Sequence, residues 1–162
     1  TEIKRFRNMT DTEKTQHNAI TLLKKDHQKV KQAFAQYEEL GPYAFVHKKK
    51  LADEICAELT LHTQLEEEII YPAFREKLAD AKDLVDEAQV EHDSAKMLIK
   101  QIQQMQADEE LFDAKVKVLS EYIEHHVKEE EDEMFPLMQD SSVDLALLGE
   151  KITERKQQLS KT

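Results

Sequence analysis

One segment of the chain occurs twice, and this repeat constrains the fold more than any other feature. The first copy is His62–Pro72 and the second is His126–Pro136, which places the two copies 64 residues apart. Each copy has a glutamate four residues after its first histidine, Glu66 and Glu130, and ends in an aromatic residue followed by proline. Residues four apart lie on the same face of an α-helix, so each His/Glu pair can bind one metal ion.

A shorter repeat precedes each copy. Asp26-His27 is followed 65 residues later by Glu91-His92. We therefore interpret the chain as two copies of one unit, each with a single histidine and a His/Glu pair. Two such units packed face to face would bring four imidazoles and two carboxylates around one centre.

The composition favours long helices in one domain. The chain has 162 residues with only 2 Gly and 3 Pro, and 35% of its residues are charged. The net charge of -11 argues against nucleic acid or an anionic membrane as a partner, and no apolar run is long enough to span a bilayer. The single Cys56 fits a reducing compartment, and with no visible signal peptide we expect a cytoplasmic protein.

Apolar residues spaced three or four apart predict four long helices. In each helix, polar residues occupy positions at which this spacing calls for an apolar one. They are His27 in the first helix, His62 and Glu66 in the second, His92 in the third, and His126 and Glu130 in the fourth. A polar side chain on a buried face needs a partner, and metal coordination would supply one. The apolar face of the second helix is expected to continue to Ile69.

Helix-breaking residues predict the loops. Gly41-Pro42 should end the first helix, Pro72 and Pro136 should kink or end the second and fourth, and Asp108 could cap the start of the fourth. Four helices joined in this way form an up-down-up-down bundle. Residues equally far from a turn then lie at equal height, which places the four histidines of the apolar faces at one level.

The predicted fold class is therefore all-α, a four-helix bundle with an additional C-terminal helix. Residues 1–14 are expected to form a tail or strap, residues 15–138 the bundle, and residues 139–162 a segment that packs on the bundle or extends from it. A helix in this last segment should run from about 143 to 159, with Gly149 weakening its middle.

Several polar residues near the repeats are expected to face solvent. His125 lies off the apolar face that contains His126, so it should point away from the centre. The acidic runs 66–68 and 129–133 are interpreted as solvated, apart from the glutamate of each His/Glu pair. The less favoured alternative is that these runs provide a path by which iron enters the site.

Three further acids could act as hydrogen-bond partners of the histidines, but we favour an ordinary solvated role for them: Asp26, Glu91 and Asp93. A residue next to a histidine along a helix rarely faces the same centre as that histidine. Three tyrosines are interpreted as aromatic residues at the rim of the core: Tyr37, Tyr71 and Tyr122. Cys56 is expected to be a small, partly buried hydrophobic residue.

The order of these residues resembles the hemerythrin-like family, the HHE cation-binding four-helix bundles. The resemblance covers about residues 15–138 and rests on the two matched His/Glu pairs, the proline after each, and the matched upstream histidines. Members of this family hold two non-haem iron ions with carboxylates between them. The resemblance implies terminal ligands at His27, His62, His92 and His126, and bridging ligands at Glu66 and Glu130. Manganese or zinc would also suit these ligands.

The chain departs from the oxygen-carrying hemerythrins at the third helix and after the fourth-helix histidine. Those proteins have a further histidine four residues beyond the first on the third helix, where this chain has Lys96. They also use an acid five residues after the fourth-helix histidine, which is Glu131 here. Glu130 is preferred because it matches Glu66, and Glu131 stays an alternative. The pattern is more similar to four-histidine bacterial hemerythrin-like proteins and to those that act on damaged iron centres.

The ligand count implied by the resemblance predicts a site that is open on both metals. Two octahedral ions have about twelve ligand positions, of which the histidines, the bridging carboxylates and an oxo or hydroxo bridge fill about ten. Open positions favour O₂, NO or peroxide as ligands, with redox or catalase-like turnover as an accompanying activity. The alternative is an iron-handling module that stores, donates or senses iron without catalysis. A weaker hypothesis is a helical interaction module with a vestigial site. In each case we expect a monomer or a weak dimer.

Overall fold

The structure, a computed structural model, describes residues 8–161, and this range contains helices and loops but no β-strand. The α-helices are α1 (Asp11–Gln16), α2 (Ala19–Glu38), α3 (Phe45–Leu65), α4 (Tyr71–Lys77), α5 (Lys82–Gln104), α6 (Phe112–Glu129), α7 (Phe135–Gln139) and α8 (Leu145–Ser160). A short 3₁₀ turn, Ala79–Ala81, precedes α5. Two π-helical segments, Glu66–Ile70 and Glu130–Met134, join α3 to α4 and α6 to α7.

Helices α2, α3, α5 and α6 form the four-helix bundle. Neighbours along the chain pack on each other, α2 on α3, α3 on α5 and α5 on α6, and α6 closes the bundle against α2. Helix α8 packs along α2 on the outside of the bundle. The prediction of an all-α, up-down-up-down bundle with an additional C-terminal helix is confirmed. In the described range, no helix is both long and apolar enough to cross a membrane.

Side chains cap the start of α2 and α8, but the predicted cap of α6 is wrong. Asn18 accepts a hydrogen bond from the backbone at the start of α2, and Asp144 does the same for α8. Asp108 lies before the start of α6, which begins only at Phe112. The preceding Leu111 has a left-handed backbone with φ of 72°, which turns the chain so that the Phe112 ring enters the core.

The apolar core consists of two clusters on either side of a buried layer of polar residues. One cluster contains Leu23, Phe74 and Phe135, together with residues of α8. The other contains Ile55 and Phe112 and occupies the opposite half of the bundle. Along each helix of the bundle, the chain passes from one cluster to the other through the polar layer.

Pro72 and Pro136 do not end their helices. A proline lacks the N–H that an α-helix requires and its ring clashes with the carbonyl four residues earlier. The helix widens into a π turn just before each proline, so that the N–H of Tyr71 donates to the carbonyl of Glu66, five residues before it. The second copy of the repeat makes the equivalent bond. The repeated proline therefore marks a π turn rather than a helix end.

The extra residue in the π turn moves the following buried position by one. Ile70 is 1% exposed and belongs to the core, whereas Ile69, which the 3.6-residue period placed there, only packs against it. Met134 is the corresponding buried residue of the second copy. The error arises because a regular α-helical period does not hold across a π turn.

Helix α8 lies very close to the junction of α1 and α2, and Gly149 makes this approach possible. A Cβ atom at Gly149 would lie 2.1 Å from the backbone oxygen of His17. Leu148 and Ile152 flank this contact and are buried in the core. Gly149 therefore serves packing, whereas the sequence alone indicated only a weaker helix. Residues 1–7 of the predicted tail or strap lie outside the described residues, and the division of the chain into three parts stays a prediction.

Candidate metal centre

The histidines and glutamates singled out by the repeats meet in the layer between the two apolar clusters, which we call the polar layer. All of its members are buried: His27, His62, Glu66, His92, His126 and Glu130. Their ligand atoms form two groups in which all atoms lie within 4.8 Å of one another. The first group is His27, His62 and Glu130, and the second group is Glu66, His92 and His126. The structure therefore brings together all the predicted ligands.

In the first group, two imidazoles and a carboxylate point at a common position. The Nε2 atom of His27 lies 3.2 Å from Nε2 of His62 and 3.1 Å from Oε1 of Glu130. Glu66, a member of the second group, places its Oε1 atom 2.9 Å from Nε2 of His62.

The second group repeats this arrangement. The Nε2 atoms of His92 and His126 are 3.1 Å apart, and Oε1 of Glu66 lies 3.6 Å from the former and 3.9 Å from the latter. Oε1 of Glu130 lies 3.5 Å from Nε2 of His126. Each glutamate thus faces histidines of both groups.

Three of the four oxygens of the buried carboxylates lack hydrogen-bond partners among the described residues. Both oxygens of Glu66 and Oε1 of Glu130 are buried without a hydrogen bond to any described residue, because their close contacts to imidazole nitrogens do not have hydrogen-bond geometry. An ionised carboxylate removed from water without a partner costs several kcal/mol. A shared cation would offset this cost, so the donor set fits a metal centre.

The ionisable groups of the polar layer act strongly on one another's pKa. Burial lowers the pKa of His62, but the carboxylates of Glu66 and Asp26 more than offset this and raise it to about 10. Burial and the neighbouring charge of Glu66 raise the pKa of Glu130. Two carboxylates this close oppose each other's ionisation unless positive charge lies between them.

A carboxylate faces the outer nitrogen of every histidine in the layer. The Nδ1 atom of His62 lies 3.1 Å from an oxygen of Asp26, and that of His126 lies 3.4 Å from an oxygen of Glu91. The Nδ1 atom of His92 lies 3.5 Å from an oxygen of Glu67, and that of His27 lies 3.4 Å from an oxygen of Glu131. Histidines that bind metals generally donate their second N–H to such a carboxylate, which leaves the other nitrogen free for the metal. Asp26, Glu91 and Glu131 therefore orient the imidazoles of His62, His126 and His27 with Nε2 toward the centre. Glu67 only lies near His92, whose Nδ1 atom has no hydrogen-bond partner among the described residues.

The prediction that Asp26 and Glu91 are merely solvated is wrong. Each contacts the histidine of the next bundle helix rather than the histidine beside it, Asp26 reaching His62 and Glu91 reaching His126. The sequence signal was present, because an acid precedes the upstream histidine in both units. Asp93 is exposed, as expected.

The acidic runs are only partly solvated as well. Glu67 and Glu131 follow directly after the buried glutamates of the two copies, and they are the residues that face His92 and His27. Their occurrence at the same place in both copies could have indicated this role. The remainder of each run, including Glu68, lies outside the polar layer.

The geometry distinguishes between adjacent candidate ligands at the end of the fourth bundle helix, Glu130 from Glu131 and His126 from His125. Glu130 lies inside the polar layer with a side chain 1% exposed, whereas the side chain of Glu131 is 28% exposed and contacts the outer nitrogen of His27. This placement favours Glu130 over Glu131 as the glutamate that faces the centre of the layer. The side chain of His125 is 66% exposed and faces Glu91 and the solvent, so the prediction that it points away is confirmed.

Tyr71 is part of the site, although the sequence indicated only a rim residue. Its hydroxyl lies 3.1 Å from Nε2 of His92 and 3.5 Å from Oε2 of Glu130. Burial raises the pKa of Tyr71 well above its usual value, and nearby glutamates raise it further. The phenol therefore stays protonated at neutral pH. Cys56 is buried, as expected, and lies in the far apolar cluster.

A cleft between α2 and α6 reaches the first group. It has a volume of about 420 Å³, and His27 is one of the residues that line it. Lysines and acids both line it, among them Lys31, Lys128, Glu131 and Asp132. The opening therefore presents mixed charge rather than a uniformly acidic surface.

This fold and the buried His/Glu layer define a helical-bundle protein of the metal-binding class. The family model for the hemerythrin HHE cation binding domain matches residues 18–138. The chain belongs to this family, and the resemblance inferred from its sequence is confirmed.

Two curated proteins are also similar to the chain in sequence. The chain is 26% identical over 126 residues to a DNA nickase of Nostoc sp., a match that covers 76% of this chain and 34% of that protein. It is 25% identical over 116 residues to an uncharacterised hemerythrin-like protein of Schizosaccharomyces pombe, covering 71% of this chain and 56% of that protein. The chain thus spans about a third and just over half of these curated relatives.

A solved structure supports the fold. The crystal structure of a hemerythrin HHE cation binding domain-containing protein from Mycobacterium kansasii superposes with a TM-score of 0.73 at 26% sequence identity. The match covers 87% of this chain and 86% of that one, so it includes most of the described helices.

Proposed function

We propose that this protein holds two metal ions, with iron as the leading choice, and binds O₂, NO or peroxide at them. The observation that carries the proposal is the convergence of four imidazoles and two carboxylates whose buried oxygens have no hydrogen-bond partner among the described residues. The first group would hold one ion and the second group the other, with Glu66 and Glu130 between them. Bound iron would supply one-electron chemistry and Lewis acidity toward these small ligands.

The residues around the layer support such chemistry. Three outer carboxylates, those of Asp26, Glu91 and Glu131, orient imidazoles of the layer, and the apolar clusters on both sides keep bulk water away. The hydroxyl of Tyr71 holds a proton beside His92 and Glu130, where it can donate a hydrogen bond to a bound oxygen ligand. These features favour a reactive site with a proton source on one side.

The position of Lys96 supports an open coordination site. This residue occupies the place at which the oxygen-carrying hemerythrins have a further histidine. Its Nζ atom lies 2.6 Å from Oε2 of Glu67, with the lysine side chain 45% exposed, so it points outward and leaves the layer without a fifth imidazole from this position. The mixed charge of the α2–α6 cleft suits the entry of small neutral molecules.

Metal content and rapid mixing test the proposal. We expect about two iron ions per chain in protein produced with iron, and a spectral change when the reduced protein is mixed with O₂, peroxide or NO. His126→Ala should lose metal, whereas His125→Ala, the adjacent and exposed control, should retain it. The proposal fails if neither ion binds, if His126→Ala keeps its full metal content, or if none of the three ligands changes the spectrum.

An iron-handling module without catalysis is the second candidate. The net charge of -11 favours it, because a negative surface attracts cations. Bound iron that passes rapidly to an added chelator, in a protein that does not react with the three small ligands, would favour this function over the first.

A further inference from the structure

The C-terminal helix reaches the edge of the polar layer, although it lies outside residues 18–138 that the family model matches. The Nζ atom of Lys156 lies 2.8 Å from Oδ1 and 2.9 Å from Oδ2 of Asp26. Oδ2 of Asp26 lies 3.1 Å from Nδ1 of His62. A continuous chain of contacts therefore runs from α8 through α2 to an imidazole of the first group.

We propose that Lys156 is a positioning residue for the metal ion held by the first group. The lysine contacts both oxygens of Asp26, so this carboxylate is held between a cation on one side and the His62 ring on the other. With the carboxylate fixed, the Nδ1–H of His62 has one hydrogen-bond direction, which keeps Nε2 aimed at the centre. The inference rests on the proposed two-metal function.

The burial of this ion pair distinguishes it from an ordinary surface pair. The side chain of Asp26 is 14% exposed and that of Lys156 is 32% exposed. Water and salt screen a partly buried pair less than a fully exposed one, so the contact restricts the carboxylate more strongly. Helix α8 is itself held in place by Leu148 and Ile152 in the core.

The equivalent position in the second unit is built differently. Glu91 corresponds to Asp26 in the repeat and contacts Nδ1 of His126 in the same way. Its other oxygen faces Nε2 of the exposed His125 at 3.6 Å. The contact from α8 is thus an addition to the first unit, and a loss of Lys156 should affect only one of the two metal positions.

Arg155, the residue before Lys156, provides a matched control. Its Nε atom lies 2.8 Å from Oε2 of Glu68, and its Nη2 atom lies 3.3 Å from Oε1. This pair also ties α8 to the bundle, but Glu68 is exposed and does not contact a histidine of the layer. Arg155→Gln therefore removes an anchor of the same helix without touching the polar layer.

Titration of metal-free protein with Co²⁺, followed by the visible absorption of the bound ion, tests the inference. In the unaltered protein we expect two binding events. Lys156→Gln should weaken one of them roughly tenfold, at the lower end of the effect of losing a residue that orients a ligand, and alter the absorption of that ion alone. Lys156→Arg keeps the charge and should restore the affinity to within about threefold, whereas Arg155→Gln should leave both events unchanged.

The outcomes separate this inference from the proposed function. If the unaltered protein binds no Co²⁺, the proposed function itself fails. If it binds two ions and Lys156→Gln binds them equally well, or if Arg155→Gln weakens binding as much as Lys156→Gln does, the positioning role is wrong and the proposed function stands. Should Lys156→Gln fail to fold, Lys156→Met retains the aliphatic part of the side chain and replaces it in the same comparison.

Discussion

The two groups of the polar layer share one plan but differ in the aromatic residue beside them. The repeated aromatic-proline pair places Phe135 next to the first group, where its ring is parallel to that of His27 with centroids 5.9 Å apart. The same position in the other copy is Tyr71, whose hydroxyl lies 3.1 Å from Nε2 of His92 in the second group. The exchange of tyrosine for phenylalanine at this position thus gives a hydroxyl to one side of the layer and an apolar ring to the other.

This difference separates two roles of the duplicated sequence. Four residues are identical in both copies: the histidine, two consecutive glutamates and the proline. They set the donor atoms, the acid that lies outside the layer and the π turn. The residues that differ set the surroundings of each group, which are apolar and backed by α8 for the first and hydroxyl-bearing for the second. The comparison therefore predicts that some substitutions change metal binding or reactivity at both groups, whereas others change them at one group alone.

The largest effect is expected from Glu66→Ala, which should act on both groups. Glu66 faces His62 of the first group as well as both histidines of the second, and it is completely buried. We expect the affinity for both metal ions to fall by at least about a hundredfold, more than the loss of an orienting residue would cause. Metal analysis after dialysis measures this, with the exposed Glu68→Ala as control. Retention of one full equivalent of metal would show that the groups bind independently.

Gly149→Ala should destabilise the fold and, through α8, disturb only the first group. The added Cβ would meet the backbone oxygen of His17 at 2.1 Å, and a backbone atom cannot move aside without shifting the helix. We expect a loss of about 1–3 kcal/mol in the free energy of unfolding, measured with urea. Gly41→Ala is the control, since a Cβ there meets nothing within 4 Å. Equal stabilities of the two variants would contradict the close packing of α8.

Tyr71→Phe should affect the second group and leave both metal ions bound. The change removes the hydroxyl near His92 and Glu130 and makes this side of the layer like the Phe135 side. We expect a loss of about 1 kcal/mol in the free energy of unfolding and a reaction with peroxide that is slower by about tenfold, because a positioned acid is lost. Stopped-flow absorption measures the rate, with Tyr37→Phe in the far cluster as control. An unchanged rate would remove Tyr71 from the proposed chemistry.

The fold and the donor set could be predicted from the sequence because they depend on periodicity and on the repeat. A polar residue at an apolar position of a helix can be recognised in one sequence, and His62 and His126 were recognised in this way. The π turns were not predicted, since a proline within a helical pattern usually indicates a kink or an end. Their presence moved the buried position from Ile69 to Ile70.

The repeat marks the acids that surround the site, but which histidine each acid contacts could not be predicted, because these contacts cross between helices. The pairing of Asp26 with His62 depends on which face of α2 meets α3, and that of Lys156 with Asp26 depends on how α8 docks. Neither is encoded in local spacing. The same holds for Tyr71, whose burial beside the histidines follows from the π turn before it.

Lys96→Gln provides the smallest expected effect and the sharpest comparison with Lys156. Both lysines contact a carboxylate that faces the outer nitrogen of a histidine, but the Lys96 side chain is 45% exposed and that of its partner Glu67 is 21% exposed. Solvent screens this pair more strongly than the Lys156 pair, so it should contribute less. We expect less than about a threefold change in the affinity for Co²⁺, confined to the second group. A change as large as that of Lys156→Gln would mean that a lysine beside any of these carboxylates positions the centre, and that burial does not set the strength of the contact.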